Sequence, residues 1–196
     1  MDFPGRDGVR LAYQETGEGR PLILIHGHQD RGSHWVDSGL AGRLAGHSLG
    51  GRTVARMLIR GAAPRRAVIS GYGLDALLHA AEHTGWYRKF FSACGTGAFE
   101  PGSDEQETED WLRANNGDPK ALLLALDSWV NTDPEELSTV AVPTLVLTGA
   151  EDGQNRTAQA LADALPHGRR IEVPGDHFTA ENSPEFWAAL TKFLAE

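Results

Sequence analysis

The 196 residues of the chain include 18 Lys and Arg against 27 Asp and Glu, a formal charge of −9. That balance argues against the clustered cationic face a nucleic-acid binder needs, and no apolar stretch approaches the ~20 residues that cross a bilayer. Cys94 stands alone, which excludes an internal disulfide, and Met1-Asp2-Phe3-Pro4-Gly5-Arg6 lacks the apolar segment of a secretion signal, so a cytoplasmic protein is expected.

Apolar residues make up 40% of the chain, and its 23 glycines bring the share to that of an ordinary globular core. The first strong element is Pro21-Leu22-Ile23-Leu24-Ile25-His26-Gly27. A continuous apolar run bounded by turn residues predicts a strand buried on both faces. Between Gly27 and Gly46, the stretch from Trp35 to Ala45 suits one helix. Its last part, Ala41-Gly42-Arg43-Leu44-Ala45, is a poor strand without β-branched or aromatic residues.

Gly46-His47-Ser48-Leu49-Gly50 follows, and an apolar-helical stretch runs from Arg52 to Ile59. A serine between two glycines at the mouth of a helix is the arrangement a nucleophile elbow requires, because bulky neighbours would strike the adjoining backbone. Arg66 to Gly71 reads as a further buried strand. From Leu74 to about Leu137 the pattern is helical. Asp118-Pro119 and Thr132-Asp133-Pro134 are helix-start signals, and Leu122, Leu123, Leu126, Trp129 and Val130 form a stripe. Trp86, Tyr87, Phe90, Phe91, Trp111 and Trp129 lie in this region and are expected mainly to pack.

Two more strands close the pattern. Thr144-Leu145-Val146-Leu147-Thr148-Gly149 is followed by Glu151-Asp152, and Arg170-Ile171-Glu172-Val173-Pro174 leads into Gly175-Asp176-His177. Ser183-Pro184-Glu185 then opens a helix to Ala195, with Phe186, Leu190, Phe193 and Leu194 on one face. Three strand ends thus present a serine, an acid and a histidine in that chain order. Adjacent extended residues face opposite sides, so Asp176 should point away from His177.

These motifs, together with Gly8-Val9-Arg10-Leu11-Ala12-Tyr13, Gly17-Glu18-Gly19 and Val142-Pro143-Thr144, make the chain resemble α/β-hydrolase-fold serine hydrolases of the small bacterial esterase-like kind. The resemblance implies an α/β architecture, a mostly parallel sheet flanked by helices with a helical cap insertion. It implies Ser48 as nucleophile, Asp152 rather than Glu151 as acid, and His177 as base. It also implies an oxyanion hole from the backbone amides of Leu49 and His28, a small ester-like acyl substrate and no cofactor. The corresponding division is residues 1–71 and 139–196 as two parts of one core, with 72–138 as the cap.

One departure from that family pattern stands out. A parallel crossover with its helix needs about a dozen residues or more, and a full βαβ unit about thirty. His28 to Ala45 cannot hold a helix and two strands. The chain therefore reads as lacking an internal block of the sheet between Ala45 and Gly46, with a sheet reduced in strand number. In the expected closure, the Leu22–Ile25 strand lies beside Ala67 to Ser70. Ser48 is then poorly supported, either beyond hydrogen-bond reach of His177 or carried on a mobile turn. A catalytically impaired remnant is the alternative this raises. A metal-dependent hydrolase is another, because His26, His28 and Asp30 follow a buried strand with zinc-ligand residue types; Arg31, however, occupies the place of the next histidine.

Overall fold

The computed structural model describes residues 2–4, 10–12, 23–25, 43–114, 117–153 and 155–196. Strands β1 (Asp2–Pro4) and β2 (Arg10–Ala12) pair antiparallel. Five further strands form one parallel sheet in chain order: β3 (Ile23–Ile25), β4 (Leu44–His47), β5 (Ala67–Ser70), β6 (Thr144–Gly149) and β7 (Gly168–Val173). The register runs Ile25 to Gly46, Gly46 to Ile69, Ile69 to Val146 and Val146 to Arg170. All carboxyl ends therefore emerge at one edge, where open α/β sheets bind their ligands.

β4 corrects the sequence reading at two points. Leu44 and Ala45 are strand residues rather than the end of a helix, and β4 rather than β3 lies beside β5. Ala45 and Gly46 are consecutive residues of that one strand. The cause is burial. All four residues of β4 are buried, Leu44, Ala45 and Gly46 are paired on both sides, and this context outweighs the weak strand propensity of Leu-Ala-Gly. The remainder of the expected helix, residues 35–42, lies outside the described residues.

The chain divides into two compact units, Met1–Leu74 with Pro134–Glu196, and Asp75–Asp133. In the first, side chains alternate across the sheet. Ala45, Val68, Leu145 and Leu147 share one face with α8 (Pro184–Ala195), whose Phe186, Leu190, Phe193 and Leu194 fill the core against them. On the opposite face Gly46 meets α1 (Leu49–Ile59), and α6 (Pro134–Ser138) packs on both α1 and α7 (Ala158–Ala164). Helix α8 has its start specified locally: Ser183 Oγ accepts the Phe186 amide at 3.1 Å, and Pro184 sits where no amide is needed. Ser183→Ala is expected to lower stability by about 1 kcal/mol, read as a drop in melting temperature; an unchanged transition would mean that packing alone sets this helix start.

The second unit holds α3 (Thr84–Ala93), α4 (Asp104–Ala114) and α5 (Pro119–Leu126), after α2 (Leu74–Leu78) has left the first. Asp118 caps α5 as its sequence predicts, accepting the Lys120 and Ala121 amides at 2.9 and 3.4 Å. Phe90, Phe91, Leu112 and Leu126 make its core, with Tyr87, Phe99 and Trp129 packed around them. Trp86 and Trp111 are exposed. Cys94 is half-buried, and burial followed by the nearby Glu109 charge pushes its thiol pKa up.

Candidate active site

Chain geometry at the end of β4 sets the first group. Ser48 has φ 53° and ψ −123°, and among the described residues it is the only non-glycine at positive φ. Its amide donates to the Ser70 carbonyl on β5 at 2.9 Å, and its own carbonyl accepts from Arg52 in α1 at 3.1 Å. The turn is held tightly between strand and helix. A Cβ on Gly46 would collide with the Gly50 carbonyl, and one on Gly51 would come within 2.6 Å of the Ser70 carbonyl. Leu49 is the first residue of α1, where an amide has no acceptor within the helix and the dipole favours negative charge.

The Ser48 hydroxyl does not cap α1; it lies 3.0 Å from His177 Nε2. The expected separation of these two groups is therefore corrected. Because β4 forms and is bonded to β5, the elbow is anchored on both sides.

Asp152 lies on the turn after β6, its amide bonded to the Gly149 carbonyl at 3.2 Å. The Glu151 amide donates to the Gly175 carbonyl at 3.0 Å, which ties this turn to the loop carrying His177. His177 Nδ1 stands 3.0 Å from Asp152 Oδ2, with 14% of the histidine side chain and 1% of the aspartate side chain exposed. An ionised carboxylate only accepts, so Nδ1 carries the proton and Nε2 is left to accept from Ser48.

Asn155 Nδ2 donates to the same Asp152 oxygen at 2.7 Å. Its 3.3 Å separation from His177 Nδ1 follows from two donors sharing one acceptor. Asp176 points elsewhere, as chain adjacency predicts. Its Oδ1 accepts from Thr179 Oγ1 at 2.7 Å and from the Phe178 and Thr179 amides at 2.9 Å each, which lowers its pKa. Glu151 is exposed.

Ser48, His177 and Asp152 are thus brought together in one hydrogen-bonded row, with Leu49 beside it in the chain. His28 lies outside the described residues, as do His26 and Asp30 of the metal alternative. Two contributors were not singled out by sequence. Asn155 steadies the carboxylate. His47 is buried on β4, with Nδ1 at 3.0 Å from Ser70 Oγ and Nε2 at 2.9 Å from the His177 carbonyl.

No protein-family model and no curated protein sequence matches the chain. Solved structures do. A hydrolase from Pseudomonas aeruginosa PA01 is 18% identical with a TM-score of 0.70, over 100% of this chain and 98% of that one. An α/β hydrolase from Sphaerobacter thermophilus is 16% identical with a TM-score of 0.66, over 98% and 99%. The enol-lactonase from Burkholderia xenovorans LB400 is 17% identical with a TM-score of 0.66, over 97% and 98%. Taken with the parallel sheet and its strand-end residues, these likenesses establish that the chain has the α/β-hydrolase fold.

Proposed function

We propose that this protein is a serine hydrolase acting on a small ester-like acyl substrate through Ser48, His177 and Asp152. The observation that carries the reading is the row Ser48 Oγ, His177 Nε2, His177 Nδ1, Asp152 Oδ2, with both contacts at 3.0 Å. An isolated serine hydroxyl is a weak nucleophile; a base in hydrogen-bond reach makes it a competent one. As Ser48 Oγ bonds to the substrate carbonyl carbon, His177 Nε2 takes its proton. Asp152 holds the ring in the required tautomer and stabilises the imidazolium. The proton then passes to the departing alcohol oxygen, leaving the acyl group on Ser48. A water attacks that ester with His177 again as base, and a carboxylic acid leaves.

The Leu49 amide is the near donor for the tetrahedral oxyanion, and a donor of this type is worth about 3 kcal/mol in the transition state. The resemblance assigns the second donor to the His28 amide. The steps balance with water as the only co-reactant, so the proposal includes no cofactor. The remnant reading has no observation in its favour within the described site.

A fluorophosphonate probe is expected to label wild-type protein at Ser48 and to spare Ser48→Ala, with hydrolysis of short acyl-nitrophenyl esters unaffected by EDTA. Labelling that persists in Ser48→Ala would sink the assignment. Activity lost to EDTA would point to the metal alternative, and a folded wild type that neither labels nor turns over would support the remnant.

A further inference from the structure

We infer that His47 is a positioning residue that sets the His177 base against Ser48, an inference that rests on the proposed roles of those two groups. His47 is 4% exposed and lies on the α8-facing side of β4, its ring edge-on to Phe186 with centroids 6.4 Å apart. A carbonyl oxygen only accepts, so the 2.9 Å contact with the His177 carbonyl requires a proton on His47 Nε2. In the neutral ring Nδ1 is then the acceptor, and the Ser70 hydroxyl at 3.0 Å donates to it. The His177 carbonyl therefore fixes the tautomer, and the Ser70 hydroxyl holds the other edge of the ring in the orientation that reaches it.

Ser70 links both ends of the reacting pair. It is the register partner of His47 across β4 and β5, and its carbonyl holds the Ser48 amide at 2.9 Å. Its backbone thus places the nucleophile while its side chain orients the ring that holds the base. The loop carrying His177 is long in sequence from this point, 130 residues from His47. The bond adds a direct tie from β4 to a loop otherwise held by β7, by the Asp152 turn and by the buried Ala180.

The next residue makes room for the device. Gly71 has φ +60°, and a Cβ there would lie 2.6 Å from His47 Cε1, 2.9 Å from its Nδ1 and 3.2 Å from His177 Cε1. The two imidazoles come to 5.1 Å between centroids, so a side chain at 71 would push one of them out.

Two variants separate the bonds. In His47→Gln the amide nitrogen occupies the place of Nε2 and can still donate to the His177 carbonyl; in His47→Asn it occupies the place of Nδ1 and reaches Ser70 only. His47→Asn is expected to lower kcat on a nitrophenyl ester about a hundredfold, the effect of roughly 1 Å of misplacement, with KM little changed. His47→Gln should stay within a few-fold of wild type, and both variants should melt alike.

A readout independent of turnover is the low-field proton resonance of His177 Nδ1–H, expected to be kept in His47→Gln and lost in His47→Asn. If His47→Asn does not fold, Ser70→Ala decides. It leaves the bond to the His177 carbonyl but removes the one that holds the other edge of the ring, and should weaken that resonance and lower kcat roughly tenfold, the worth of one net hydrogen bond. Equal kcat and equal resonance in the Gln and Asn variants, or an unaltered Ser70→Ala, overturns the inference. A wild type without esterase activity whose resonance still follows the Gln/Asn difference would instead overturn the proposed function and leave the positioning role standing.

Discussion

Ser48→Ala is expected to lower kcat on a short-chain nitrophenyl ester by about a millionfold, and Asp152→Asn by about ten-thousandfold. The first removes the atom that would bond to the acyl carbon. The second keeps the shape of the acid but gives His177 Nδ1 a neutral amide in place of a charge, which no longer enforces the tautomer. Asp152 is a stringent test because its carboxylate is buried and shares Oδ2 between His177 and Asn155. Adding His177→Ala to Ser48→Ala should cost little more, since groups that act as one unit are not additive. A double variant far below the single ones in steady-state kinetics would show that His177 acts by another route.

Phe186→Ala should destabilise the fold by about 3–5 kcal/mol. Phe186 is fully buried, and it packs with Ala45, Val68, Leu145 and Leu147 of the sheet on one side of α8. The loss is a large part of the roughly 5–15 kcal/mol by which such domains are stable. For a chain of this length it corresponds to a melting temperature lower by about 10 °C. Chemical denaturation of the two proteins measures it directly. A difference under about 1 kcal/mol would mean that the neighbouring side chains close the cavity, or that the site is less tightly packed than its zero exposure implies.

Much of the candidate site was legible in the sequence for a local reason. Asp152 follows a strand whose apolar run announces itself, His177 follows a strand bounded by Pro174 and Gly175, and the elbow at Ser48 carries its own glycine spacing. Strand β4 was not legible. Leu44, Ala45 and Gly46 have no strand character of their own, and they become a strand because β3 and β5 pair with them and bury them from both sides.

That one misreading led to the expected separation of Ser48 from His177, which the structure replaces with a hydrogen bond. His47 was invisible as a contributor for a related reason: its partners lie 23 and 130 residues away, beyond any local pattern. Asn155 is only three residues from Asp152, yet an asparagine in a turn looks the same whether or not its amide is used.

The backbone of Ser48 has an evolutionary consequence. Holding a side-chain-bearing residue in so sparsely populated a region of φ,ψ space subtracts roughly 1–3 kcal/mol from the stability of the fold. Glycine at the same position would relieve most of it. Mutation therefore has an open downhill path at position 48, which only a use for the hydroxyl would block. A lineage that had stopped needing that oxygen would be free to drift along it.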